Sequence, residues 1–232
     1  MRTWIVPTLV AAVVTVAPAA AAQGAVVAHW NMDEAAGASR MLDSATLGGA
    51  NNGQIVNVTT GVPGLVSGNA YTFNGTTSYV EVADNASLDP GTAKIALSAT
   101  VRTLDGPMPD DSYDLVRKGV VTTKGGYWKM EIKRSSDPSV GRLHCVFKGM
   151  LPGGSMTIAK RLATPDIVDG RTHTVQCLRS GSTVIAVVDG KSYETTKATG
   201  SIANNQSVIV GSKLAGDDVL RGSLDEVSVN IG

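Results

Sequence analysis

The chain has 232 residues, with 20 Lys and Arg against 20 Asp and Glu, so its formal charge is zero. Binding to nucleic acid rests on a clustered basic face, and no basic cluster occurs, which excludes that class of partner. Aromatic residues make up only 4%, too few for a broad sugar-stacking surface, while 26 glycines suit many strands joined by tight turns.

The first 22 residues differ from the rest. Met1-Arg2 gives a positive start, an apolar run extends from Trp4 to Val16, and Pro18 leads into Ala19-Ala20-Ala21-Ala22. This order is that of an export signal with a small-residue cleavage site. The alternative, a membrane anchor, needs about 20 apolar residues and the run is shorter. Residues 1–22 are therefore expected to be a signal peptide, and 23–232 one secreted domain without a membrane span, since that length suits a single large core.

Period-2 alternation then recurs without a sustained 3.6-residue pattern, which predicts an all-β chain. The expected strands are Val26–Met32, Ala70–Phe73, Tyr79–Val82, Ile95–Arg102, Tyr113–Arg117 and Tyr127–Lys133, followed by Leu143–Phe147, His173–Arg179, Thr183–Val188, Ser207–Val210 and Leu224–Ile231. Turn signals separate them, and Asp189-Gly190 is the strongest hairpin signal. Many short strands with glycine-rich turns argue for a sandwich. In Tyr127–Ile132 the alternation sends Trp128, Met130 and Ile132 inward and Tyr127, Lys129 and Glu131 outward. The run Lys129–Arg134 reads as a solvated strand face, and Asp105–Asp114 as an exposed loop. The same parity assigns Trp30 to the core.

Cys145 and Cys177 each lie in a strand-like run. In an exported chain an even count favours one disulfide between them, against the alternative of two buried thiols. Closing a loop of roughly 30 residues is worth about 3–4 kcal/mol in the chain-entropy model.

Several segments in order resemble a known family: Ala28-His29-Trp30-Asn31-Met32-Asp33-Glu34, Asp43-Ser44, Gly68–Gly75, Ser78–Val82, Asp169–Val175, Val187–Gly190 and Gly222–Val227. Together they resemble the bacterial laminin G-like domains of the concanavalin A-like lectin/glucanase superfamily, over nearly the whole of 26–232. The resemblance implies a two-sheet antiparallel jelly-roll sandwich with the first and last strands adjacent. It leaves function open, because one fold hosts lectins, glucanases, adhesion modules and spacers.

Glu34, Asp43 and Asp225 form the clearest polar constellation. Parity puts Glu34 with Trp30 and Met32, and Asp225 with Val227 and Val229, and carboxylates on apolar faces need partners. Relatives often carry a structural Ca²⁺ near this rim, so Asp43 and Asp225, with Glu34 as a weaker ligand, are the expected metal residues. The alternative is plain capping of N–H groups by these carboxylates. Catalytic residues are expected to be absent: no E-x-D-x-x-E strand, G-x-S-x-G elbow or H-E-x-x-H pair occurs. His29, His144 and His173 stand isolated. The sequence is thus read as a secreted, non-catalytic module for a glycan or an extracellular or cell-surface protein. A glycan hydrolase of the same superfold and a purely structural cell-surface module are the alternatives.

Overall fold

The computed structural model describes residues 24–232 except 49, 104, 108–110, 135–136, 138–139, 163–164 and 215. The expected signal peptide lies outside the described residues. In chain order the strands are β1 Ala25–Trp30, β2 Arg40–Met41, β3 Gly53–Val56, β4 Thr59–Pro63, β5 Asn69–Asn74, β6 Tyr79–Val82, β7 Ile95–Arg102 and β8 Ser112–Lys118. They continue as β9 Tyr127–Arg134, β10 Gly141–Met150, β11 Met156–Leu162, β12 Thr172–Ser180, β13 Thr183–Val188, β14 Lys191–Thr196, β15 Val208–Val210 and β16 Arg221–Ile231.

These strands form two eight-stranded antiparallel sheets. The first runs β14-β13-β12-β7-β16-β5-β4, with β1 also paired to β16. The second runs β11-β10-β9-β8-β15-β6-β3-β2. The first and last strands are adjacent, from Ala25 opposite Ile231 to Trp30 opposite Val227. The fold is the expected jelly-roll sandwich.

Alternation builds the core between the sheets. Trp128, Met130 and Ile132 of β9 pack inward with Trp30, Phe73, Leu97, Val175 and Val229, and all are buried. Burial of such side chains is worth about 1.5–3 kcal/mol each. Cys145 of β10 and Cys177 of β12 are joined across the core, with Cα atoms 5.3 Å apart, so the expected disulfide staples one sheet to the other. Arg179 of β12 is also fully buried. Its guanidinium donates to the carbonyls of Gly91, Ala93 and Gly200, and burial lowers its pKa to about 10.

Two β-bulges change faces that alternation alone assigns. In β16 the register slips between Asp225 and Ser228, where Glu226 takes φ of 51°. Leu224, Val227 and Val229 therefore face the core, and Asp225, opposite Thr100, faces away from it. The expected inward parity of Asp225 is thus corrected: an extra residue resets the period of two. In β8 the slip between Asp114 and Val116 puts Asp114 and Arg117 on one outer face. Asp114 lies in a strand, as the expected Tyr113–Arg117 has it, and is fully buried, which corrects the end of the expected exposed loop Asp105–Asp114.

Candidate functional site: the outer face of the second sheet

The inner positions of the second sheet are filled by Met41, Val80, Val82, Val208, Val210 and Val116, all buried. The alternate positions point outward and fall into one cross-strand row. Arg40 lies opposite Gln54, Gln54 opposite Glu81, Glu81 opposite Ile209, and Ile209 opposite Arg117. The row continues through Lys129 and Val146 to Lys160, so it spans all eight strands. From Arg40 to Arg117 it covers four strand spacings, about 19 Å.

Three hollows lie along this face and its adjoining loops. One of about 550 Å³ sits over Arg40, Gln54, Glu81, Asp84 and Ser207. A second of about 160 Å³ is lined by Glu81, Arg117, Ser207, Ile209 and Lys213. A third of about 650 Å³ opens between the 120–125 and 203–206 loops. The first and second share Glu81 and Ser207, and the second and third share Val120 and Gln206. Hollows that share lining residues adjoin one another. Together they make a groove lined by polar and aliphatic side chains, with no aromatic residue among the described ones that line it.

Beside the groove the next row brings Asp114, Glu131 and His144 side by side on β8, β9 and β10. Arg117 Nη1 donates to Asp114 and its Nε to the Gly119 carbonyl, 2.9 Å away. Lys129 Nζ bridges Glu131 and Asp114, and His144 Nδ1 lies 2.6 Å from Glu131. Burial raises the Asp114 carboxyl above its ordinary pKa against the pull of Arg117 and Lys129. Burial would raise Glu131 too, but hydrogen bonds and charge from His144 and Lys129 hold it well below the usual range. Lys129 and Glu131 are therefore members of a nearly dry ion network, which corrects their reading as a solvated strand face. Opposite charges on facing strands neutralise one another, so the face can be covered without stranding a charge.

The expected metal residues are each engaged by hydrogen bonds. Asp43 Oδ1 accepts from the His29 and Ala45 amides, at 2.9 Å each, and its Oδ2 from that of Asn51 at 3.0 Å. Glu34 accepts from the Leu42 amide at 2.7 Å and from the Tyr71 hydroxyl at 2.5 Å. Asp225 Oδ2 accepts from the Leu65 and Val66 amides, while its Oδ1 is buried without a hydrogen-bond partner. Both oxygens of Glu34 and of Asp43 accept hydrogen bonds from N–H or O–H donors. Among the described residues, the three acids whose oxygens all lie within 4.8 Å of one another are Asp111, Asp217 and Asp218. Burial and the Asp111 hydrogen bond push Asp218 up to about 7.

Each histidine has a carboxylate beside it: His29 with Glu226, His144 with Glu131, and His173 between Asp169 and Asp189. The groove residues Gln54, Glu81 and Arg117 carry no motif in the sequence. Their signal is the shared outward parity on strands that become neighbours only in the folded sheet.

Residues 74–230 match a laminin G family model described as the concanavalin A-like lectin/glucanases superfamily. The chain belongs to this laminin G family. Among curated proteins no sequence matches it. Solved structures share its fold at low identity. Domain 4 of AbnA, a GH43 extracellular arabinanase from Geobacillus stearothermophilus in complex with arabinotriose, is 14% identical, with a TM-score of 0.60 over 90% of this chain and 94% of that one. The binding domain of Paraclostridial Mosquitocidal Protein 1 is 17% identical, with a TM-score of 0.58 over 89% of this chain. The botulinum neurotoxin type G receptor binding domain is 8% identical, with a TM-score of 0.56 over the same share. The chain spans about half the length of these two toxin domains, 48% and 47%. No helix among the described residues is long and apolar enough to cross a membrane.

Proposed function

We propose that this chain is a secreted binding module whose outer-sheet groove holds a glycan chain without transforming it. The observation that carries the reading is the row Arg40–Gln54–Glu81–Ile209–Arg117 under connected hollows. Guanidinium donors, an amide and a carboxylate acceptor alternate along it, which is the chemistry that hydroxyl-rich ligands need. The likeness in fold to an arabinanase domain solved with arabinotriose supports the same class of ligand. A glycan array run with and without calcium tests the reading. Retention of at least one glycan, lost in Arg40→Ala and Gln54→Ala, is expected. If no glycan is retained, an extracellular protein partner or a purely structural role takes its place.

One observation favours hydrolysis as a second reading. Asp114 and Glu131 face each other on adjacent strands, where Cβ atoms stand about 4.5–5.5 Å apart. From that placement two carboxyl groups can come within the ~5–5.5 Å of a retaining glycosidase pair. Both carboxylates are sealed from solvent and neutralised, so we read them as the floor beside the site. Turnover of β-glucans that vanishes in Glu131→Gln would establish the enzyme reading instead.

Calcium at Asp43 and Asp225, with Glu34 nearby, is kept as a separate proposal. An ion bound only to the folded state adds RT ln(1 + [L]/Kd), about 2.7 kcal/mol at a hundredfold excess. EDTA should then lower the Tm by several degrees, with recovery on adding Ca²⁺ and no such effect in Asp43→Ala. A Tm indifferent to EDTA leaves hydrogen bonding as the whole account of these acids.

A further inference from the structure

The smallest hollow has walls of opposite charge and an aliphatic floor, and the way those charges are partnered defines what fits. Arg117 is held at Nε and Nη1 by Gly119 and Asp114, while its Nη2 makes no hydrogen bond among the described residues. Its side chain is only 3% exposed, so this donor is fixed in direction. Lys213, on the same side, is engaged by Asp217 at 2.7 Å. Across Ile209 stands Glu81, whose Oε1 accepts from the Ser207 hydroxyl at 2.8 Å. Among the described residues Glu81 has no cationic partner. The groove therefore presents a compensated cation with one open donor on one wall and an uncompensated anion on the other.

We propose that this hollow is a subsite for a single sugar ring that carries no negative charge, read by two hydroxyl groups. The inference rests on the groove being the glycan site and specifies the ligand class there. One hydroxyl donates to the Glu81 carboxylate and another accepts from Arg117 Nη2, both charge-assisted bonds. The C–H face of the ring lies on Ile209, which sits between Glu81 and Arg117 in the row. The volume of about 160 Å³ matches one six-membered ring, since a cavity of about 150 Å³ admits benzene. A uronate or sulfated ring brings a negative charge against Glu81, which has no counter-ion to share. The cations of the other wall, Arg117 and Lys213, are already neutralised by Asp114 and Asp217 and do not offset that repulsion, whereas an uncharged ring meets none.

The test is titration calorimetry of the whole domain with uncharged trisaccharides (arabino-, xylo-, gluco- and galacto-configured) and with trigalacturonate. Wild-type protein is expected to bind at least one uncharged trisaccharide and to bind trigalacturonate at least tenfold more weakly. Glu81→Gln, on an exposed side chain, should weaken the uncharged ligand about tenfold and narrow or reverse the preference against trigalacturonate. Ser207→Ala should weaken binding less. If trigalacturonate binds the wild type as well as the uncharged set, the subsite inference is overturned while the groove reading stands. The subsite inference is likewise overturned, and the groove reading kept, if Arg40→Ala and Gln54→Ala abolish binding but Glu81→Gln and Ser207→Ala leave the affinity unchanged. If none of the four substitutions matters, or nothing binds, the groove reading falls and takes the subsite with it.

Discussion

On the outer face of the second sheet, Asp114 and Glu131 are held by the side chains of Arg117, Lys129 and His144. Around β1, by contrast, Asp43 is held by three backbone amides, and Asp225 by two from the 64–68 loop. Both solutions satisfy a carboxylate with hydrogen bonds, but they differ in what remains when the acid is removed. In the network Lys129 and His144 each lose a carboxylate partner in a nearly dry place. At the rim only N–H groups are left, and a neutral donor is cheaper to strand than a charge. The network also ties strands to strands within one sheet, whereas the rim acids tie loops to strands.

Deleting one acid from each region puts this contrast at greatest risk. Glu131→Ala should cost on the order of 3–5 kcal/mol, because Lys129 and His144 then lie buried beside an incomplete set of partners. Urea unfolding should show a lower midpoint with an unchanged m-value. A loss below about 1 kcal/mol would mean that the network is well solvated and that the contrast with the rim is empty.

Acid titration probes the same carboxylate without removing it. The Glu131 pKa is depressed in the folded state, so its contribution is complete above the unfolded value of about 4.3. It is lost as pH falls through the lower folded value. Between about pH 5 and pH 2 the wild type should therefore lose more unfolding free energy than Glu131→Gln. Parallel curves for the two proteins would show that this carboxyl is not held in its charged form by the fold.

At the rim, Asp43→Ala leaves the amides of His29, Ala45 and Asn51 without their acceptor. The expected loss is about 2–3 kcal/mol, less than for Glu131→Ala, because some of these loop amides can turn to water. Asp43→Asn keeps one carbonyl acceptor and should cost less than half as much. Equal losses for Glu131→Ala and Asp43→Ala in urea unfolding would erase the distinction between charged and neutral partners.

Much of the framework behind both regions is legible in the chain. Tyr79–Val82, Ile95–Arg102 and Thr183–Val188 form strands over the residues that alternation marks, because each has one apolar face on the core. The segments β3, β4 and β11 carry no such mark, since Gly53, Gly61, Pro63 and Lys160 interrupt the apolar pattern and the outer face is polar. The bulges are equally silent. Glu226 adopts a positive φ without being glycine, so nothing in Leu224-Asp225-Glu226-Val227 announces that the period shifts there. Alternation assigns Asp225 to the wrong face for that reason alone. The candidate groove is harder still to read, because Arg40, Gln54, Glu81, Ile209 and Arg117 are brought together only by strand order, and none is unusual in its own segment.

His173 is an intermediate case, a titratable partner at an accessible edge, and it should give the smallest effect. Its Nδ1 lies 2.8 Å from Asp189 and its Nε2 3.0 Å from Asp169, joining the start of β12 to the Asp189-Gly190 turn. Burial would lower its pKa, but the hydrogen bonds to Asp189 and Asp169 outweigh that and raise it. A raised folded pKa gives a contribution that is full below the unfolded value of about 6.5 and is lost as pH rises through the folded value. Asp189 is 52% exposed, so solvent screens the pair and the contribution should stay well under 1 kcal/mol. Asp218 titrates at about 7 and bends the wild-type curve in the same region, so the useful quantity is a difference between proteins. Between about pH 6 and pH 9 the wild type should lose slightly more unfolding free energy than His173→Gln. A difference that grows in the opposite direction would mean that His173 is held neutral by burial, and that its two carboxylates cap backbone amides, as the rim acids do, without charging the ring.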